Sequence, residues 1–256
     1  MTLTYGSYLR LDELLSLQRP ESDEHDEVLF IVIHQVYELW FKEMLHELDR
    51  LRWLLEMDLG PQAQGTLKRI LTVLKIAVAQ TDVLETMTPL DFLSFRDRLE
   101  TASGSQSVQF RALEFALGIK AVRVLTDFEG EERERLEARL AAPTIWDALL
   151  GHLARRGHPI PAGALERDVA ARIAPSEEVE RALIAVYRED AESAAICERF
   201  LDLDEGFQEW RYRHVKMVER TIGTRRGTGG SSGVAFLKRT LFDPAFPDLW
   251  MVRSDF

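Results

Sequence analysis

At 256 residues, 46% of them apolar, the chain is long enough to bury a large core as one domain. Thirty-two Lys and Arg against 43 Asp and Glu leave a net charge of −11, which excludes a broad nucleic-acid face, because neutralising phosphates takes a basic surface. A single cysteine, Cys197, excludes an internal disulfide, a Cys-based zinc site and covalent c-type haem; no membrane-length apolar run or signal core appears, so a soluble cytoplasmic protein is expected.

Tyr5-Gly-Ser-Tyr8-Leu9 opens the chain, followed by a short amphipathic run over 11–17 and a polar break over 18–25. Residues 26–57 then repeat with helical period: Phe30, Ile33, His34, Tyr37, Phe41, Met44, Leu45 and Leu48 share one stripe, and Glu38, Lys42, Glu43 and Glu47 take the outside. Gly60-Pro61 is expected to end that helix, and a second long one is expected over 66–85. A turn at Met87-Thr88-Pro89 precedes a short helix over 90–99 carrying Phe92, Phe95 and Arg96, then a loop over 100–107 and a helix over 109–118. The stretch 120–176 is charged, Ala-rich and interrupted by prolines, and is expected to form shorter helices as a variable excursion. Long helices are expected over 177–203 and 204–222, then a Gly-rich loop, an apolar run over 234–241 and a proline-punctuated tail. No alternating strand pattern or internal repeat is present, so the fold class is all-α: one helical domain over 1–256.

Two histidines lie on apolar stripes. Phe30, His34, Tyr37 and Phe41 share one face of the first long helix; Phe207, Trp210, His214, Val218 and Ile222 share one face of the last. A buried imidazole must satisfy two nitrogens, with a backbone carbonyl, a carboxylate such as Glu38, or a metal. His25, His46, His152 and His158 are expected at the surface. Arg96, beside two phenylalanines, calls for an anion, either an internal carboxylate or one on a ligand. The run Gly227-Thr-Gly-Gly-Ser-Ser-Gly233 lacks the lysine of a phosphate loop; it can fold over a ligand or serve as a plain linker, and Thr228 is near enough to His214 in sequence to share its cavity. Cys197, in a helix interior, reads as an inert buried thiol and not as an axial ligand.

Five blocks in order carry a resemblance to the tryptophan 2,3-dioxygenase family. They are Tyr5-Gly-Ser-Tyr-Leu, the run from His25 to Lys42 containing His34-Gln-Val-Tyr-Glu-Leu-Trp-Phe, Leu84-Glu-Thr-Met-Thr-Pro-Leu-Asp-Phe-Leu-Ser-Phe-Arg96, Trp210-Arg-Tyr-Arg-His214 and Gly227-Thr-Gly-Gly-Ser-Ser-Gly233. Between about 120 and 200 only helical character matches. The resemblance implies an all-helical bundle enclosing haem b, assembled as a homotetramer, that uses O2 to cleave the C2–C3 bond of the L-tryptophan indole, giving N-formyl-L-kynurenine. It implies His214 as the axial ligand of the haem iron, with Ser103 and Gly104 near the haem edge, and His34 on the opposite side bonding the indole N–H. Arg96 would take the substrate carboxylate, and Thr228 the ammonium and carboxylate. Phe30, Phe92 and Leu99 would be apolar walls, and Tyr5, Tyr8 and Leu9 would reach in from a neighbouring subunit.

Two positions depart from the family pattern, which usually has a bulky aromatic where Thr81 stands and reads Ser-Gly-Phe-Gln-Ser where this chain has Ser103-Gly104-Ser105-Gln106-Ser107. Such changes could admit a substituted tryptophan or water, and they keep open monooxygenation at indole C2 to a 2-oxindole; a haem protein that binds or senses indoles without turnover is a separate alternative.

Overall fold

The computed structural model describes residues 2–229 and 233–256, Phe236 by its backbone alone. Two short helices, α1 (Tyr5–Leu9) and α2 (Leu11–Leu14), lead to the long α3 (His25–Glu56) and α4 (Gly60–Leu84). The helix α5 (Pro89–Phe95) runs into a 3₁₀ turn, Arg96–Leu99, and a second 3₁₀ turn, Gly104–Gln106, precedes α6 (Val108–Ala116). Four shorter helices follow: α7 (Gly130–Leu140), α8 (Ile145–Arg155), α9 (Ala162–Leu165) and α10 (Glu177–Glu189). The chain closes with the long α11 (Ala191–Ile222), α12 (Val234–Leu237) and α13 (Pro247–Met251). No strand occurs among the described residues, so the all-α expectation holds. No described helix is long and apolar enough to cross a membrane.

The main framework is α4 packed between α3 and α11, with α6 and α8 also against α3. Its core runs from Ile33, Phe41, Leu48 and Leu55 on α3 through Leu67, Ile70 and Leu74 on α4 to Ile196, Phe200, Leu203 and Phe207 on α11. These positions recur every three or four residues on α4 and α11 and every two turns on α3, so three apolar stripes bury one another.

Two boundaries differ from the sequence expectation. Gly60-Pro61 starts α4 instead of closing α3: Pro61 sits in the first turn, where its missing N–H costs nothing and its fixed φ suits a helix. The last long helix begins at Ala191, not near 204. Asp190 caps it, its carboxylate accepting from the Ser193 N–H at 3.1 Å and hydroxyl at 2.7 Å, and the Arg156 guanidinium beside it holds that carboxyl well below the usual range. Asp204 instead lies inside α11, buried, and accepts the Ala245 N–H at 2.9 Å, the Phe246 N–H at 2.9 Å and the Trp250 indole N–H at 3.0 Å. It ties the C-terminal segment to the bundle. Asp204→Ala leaves those donors without their acceptor, and a loss of about 3–5 kcal/mol in urea denaturation is expected, with Asp204→Asn intermediate.

The stretch 120–176 is made of short helices, but it is not a surface excursion throughout. Ile145, Trp146, Leu149, Leu150 and Leu153 of α8 belong to the main core. His152, expected at the surface, is fully buried, its Nδ1 2.9 Å from the Asp58 carboxylate in the turn between α3 and α4. A carboxylate partner from a distant turn is what makes that burial tolerable, and sequence spacing does not reveal such a partner. His158 is largely buried as well, beside Asp190, whereas His25 and His46 are exposed as expected. Cys197 is buried, and burial pushes its thiol up to about 12, in keeping with an inert thiol.

A candidate active site around two neutral imidazoles

His34 sits on the inward stripe of α3, half-buried, with its ring centroid 4.1 Å from that of Phe30. Its Nδ1 lies 2.7 Å from the Phe30 carbonyl oxygen one turn back. A carbonyl only accepts, so Nδ1 carries the proton and Nε2 is left as the acceptor. Burial lowers the pKa of His34, which keeps that tautomer neutral near pH 7. Glu38 is not its hydrogen-bond partner: the Gln109 side-chain amide donates to the Glu38 carboxylate at 2.9 Å and to its backbone carbonyl at 2.8 Å.

His214 lies on α11 with its ring parallel to that of Trp210, centroids 5.3 Å apart at 2°. Trp210 is held in turn by Phe41, Tyr37 and Phe110, at 5.9, 6.3 and 4.9 Å between centroids. Burial first, then charge on His34 and Arg111, brings His214 down to about 4, so it is neutral at physiological pH. The two imidazoles are thus close enough for charge on one to disfavour charge on the other. Neither nitrogen of His214 has a hydrogen-bond partner among the described residues. A neutral imidazole with both nitrogens uncommitted to the protein is the donor chemistry an iron site needs.

The rest of the expected site gathers beside His34. Phe30, Phe92 and Phe95 pack within 5.5–5.8 Å of one another, Phe92 and Phe95 buried, and Leu99 packs half-buried against the same cluster. Arg96 follows them in the 3₁₀ turn after α5. It has no carboxylate partner among the described residues, so the internal ion pair is not found. Its Nη2 donates to the Arg226 carbonyl at 2.7 Å, and its Nε is buried without a partner. A half-buried guanidinium held by a carbonyl and lacking a counter-ion is suited to a ligand carboxylate.

The Gly-rich loop, as far as it is described, is drawn onto this corner. The Thr228 hydroxyl donates to the Ala102 carbonyl at 2.5 Å. At Gly229 an added Cβ would come within 2.9 Å of the Ser103 Cβ, so only glycine permits this approach. The central residues of the loop, Gly230, Ser231 and Ser232, lie outside the described residues. The Ser103 hydroxyl caps the Gly104–Gln106 turn and accepts from the Ser105 hydroxyl at 3.1 Å. A Cβ on Gly104 would meet no heavy atom within 4 Å, so nothing in this chain requires a glycine there. Gly229→Val is expected to push the loop off the turn and raise KM for the substrate about 10-fold or more with a smaller change in kcat, read by steady-state kinetics.

Thr81 and Ser105, the departures from the family pattern, have their hydroxyls committed inside the protein. Thr81 is buried and donates to the Val78 carbonyl of its own helix at 2.5 Å; Ser105 donates to Ser103. Sequence reading missed Phe95 and Phe110 as supports and the Arg226 carbonyl that holds Arg96. The phenylalanines carry a helical-spacing signal, but a carbonyl 130 residues away carries none. Tyr5, Tyr8 and Leu9 are not brought to the site within the chain: they lie on α1, which buries no residue.

Fold and site together define an all-helical protein that brings two neutral imidazoles, an aromatic wall and an uncompensated guanidinium to one place. The family model described as tryptophan 2,3-dioxygenase matches residues 1–142 and 181–256, leaving out all of α8 and α9 and the first turn of α10. The chain is 59% identical to a tryptophan 2,3-dioxygenase of Anaeromyxobacter sp. (strain K), over 98% of this chain and 96% of that one. It is 56% identical to one from Herpetosiphon aurantiacus, over 99% and 98%, and 46% identical to one from Caulobacter vibrioides, over 98% of each. The chain belongs to the tryptophan 2,3-dioxygenase family, and the resemblance read from five sequence blocks is borne out.

Proposed function

We propose that this protein binds haem b through His214 and uses O2 to open the indole ring of L-tryptophan, giving N-formyl-L-kynurenine. The observation that carries the reading is the pairing of two neutral imidazoles with different commitments. His214 has no hydrogen-bond partner among the described residues, which leaves it available to bind metal. His34 has one nitrogen fixed on a carbonyl, which leaves the other to accept a proton donor.

Bound haem supplies the iron at which O2 is activated for attack on the indole. The rest is positioning. His34 Nε2 accepts the indole N–H and so fixes which edge of the ring meets the oxygen, while Arg96 pairs with the substrate carboxylate. Thr228 exchanges its bond to Ala102 for the ammonium and carboxylate of the amino acid. Phe30, Phe92 and Leu99 hold the ring by apolar contact and keep water out. Ser103 and Gly104 border the haem edge. Both oxygen atoms end in the product, so no net electrons are consumed and no reductase is required per turnover. Labelled O2 tests this directly: two labelled atoms in N-formyl-L-kynurenine are expected, and one label in a product with an intact ring would refute it. No observation favours monooxygenation or binding without turnover, since the small residues at 81 and 105 are internally satisfied.

The state of His34 also sets a pH dependence. Its folded pKa lies below the ordinary value, so the acceptor form persists through neutral pH and is lost only on acidification. KM for L-tryptophan is therefore expected to be flat above about pH 6.5 and to rise as pH falls below it, and His34→Ala should abolish that rise.

Assembly as a homotetramer belongs to the same proposal. Tyr5 and Tyr8 are 76% and 69% exposed, and neither α1 nor α2 buries a residue, so this apolar segment gains its burial from another surface. In the proposed assembly Tyr5, Tyr8 and Leu9 line the substrate pocket of a neighbouring copy. Light scattering should give four chains, and deletion of residues 2–9 should lower both assembly and turnover.

A further inference from the structure

We propose that Arg111 and Trp210 form a carboxylate-binding end of the cofactor site and take a propionate of the haem. The proposal rests on the haem reading above. Arg111, on α6, donates from Nη1 to Glu114 at 2.7 Å, and Glu114 accepts from Arg211 of α11 at 3.0 Å through its other oxygen. Glu114 and Arg211 are buried, and the Arg111 side chain is only 15% exposed. Arg211 otherwise donates to the Thr240 and Asp243 carbonyls, at 3.2 and 3.4 Å, and Arg111 to the Ser105 carbonyl at 3.4 Å. Two guanidiniums thus share one carboxylate, and the remaining acceptors are neutral. The cluster carries a net positive charge that no other described carboxylate pairs with, away from bulk water.

Two buried donors in the same neighbourhood have no acceptor: the Arg111 Nε–H and the Trp210 indole N–H. Nearly all buried N–H groups find a partner, so two orphans beside an unbalanced charge indicate that an anionic acceptor belongs there. Their position specifies which one. Trp210 is parallel to the His214 ring, Arg111 lies over the Phe110 ring, whose centroid is 4.9 Å from that of Trp210, and the Ser105 carbonyl that Arg111 holds lies in the turn starting at Gly104. The cation is thus linked on one side to the aromatic rings that back the imidazole and on the other to the turn proposed to meet the haem edge, where a carboxylate on the macrocycle would fall. Glu114 and Arg211 act as positioning residues that orient the Arg111 fork.

Transfer of cofactor to excess apomyoglobin provides the test, using protein loaded with protohaem or with protohaem dimethyl ester, whose propionates cannot ionise. Wild-type protein is expected to lose the ester about 10–100-fold faster than protohaem, the range of a charge-assisted hydrogen bond. Arg111→Met should lose both at the same fast rate, Arg111→Lys should keep part of the difference, and Trp210→Phe should reduce it. Protohaem held by Arg111→Met as tightly as by wild type overturns the inference, as does an ester penalty of unchanged size in that variant. Should Arg111→Met not fold, the absence of any ester penalty in wild type is itself decisive against it. An acetate-dependent stabilisation of the haem-free protein that vanishes in Arg111→Met, with no ester penalty, would assign the cluster to a free carboxylate instead. Haem bound by wild type and lost in His214→Ala establishes the parent reading separately, so failure of one is distinguishable from failure of the other.

Discussion

His214→Ala should purify as a folded helical protein that retains no stoichiometric haem, with turnover below about 10⁻³ of wild type, the scale set by losing the group that holds the reactive centre. The fold should survive because position 214 is inside α11, where alanine is a better helix former than histidine, and because the imidazole makes no hydrogen bond to any described residue. A stability change of about 1 kcal/mol or less is expected in thermal denaturation of the haem-free forms. Haem content by absorbance reads the first effect and helical circular dichroism the second. Added imidazole should restore part of the haem signal, since what the variant lacks is a ligand and not a structural support. Equal haem in variant and wild type would remove His214 from the iron site and with it the proposed chemistry.

Replacing Arg96 with methionine should lower kcat/KM for L-tryptophan about 10²–10³-fold, mostly through KM, the loss expected when a charged, hydrogen-bonded carboxylate partner is removed. The guanidinium is anchored by the Arg226 carbonyl and has no counter-ion among the described residues, so the substrate carboxylate would meet a positioned charge at little cost in reorganisation. Arg96→Lys should recover only part of the loss, because an ammonium lacks the planar fork that engages both carboxylate oxygens. Tryptamine, which has the indole and amine but no carboxylate, discriminates between a clamp and a structural role. Wild type and Arg96→Met should handle it alike if Arg96 is the clamp; a parallel drop on tryptamine would show that the variant has damaged the pocket generally.

The extent to which the sequence alone predicted the molecule follows from the range of the interactions. Local periodicity sufficed for the all-α class, for the inward placement of His34 on α3 and His214 on α11, and for Phe30 sharing the stripe of His34, since a helical stripe is a property of neighbours three and four residues apart. The motif blocks, read together, indicated the family. What periodicity could not supply were partners far apart in the chain. Asp204 reads as an ordinary polar residue near a helix start until Ala245, Phe246 and Trp250 are found bonded to it, and His152 reads as a surface histidine until Asp58 arrives from another turn. On its own sequence features Arg96 fitted an internal ion pair better than a ligand, until its described surroundings turned out to contain a carbonyl and no carboxylate. The Arg111–Glu114–Arg211 cluster joins two helices nearly a hundred residues apart, and its charge imbalance exists only once they pack. Which side chains face inward was thus written in the sequence at short range. Which of them remained without a partner, and so available to a ligand, was decided by tertiary packing, because only packing brings distant donors, acceptors and charges within bonding reach.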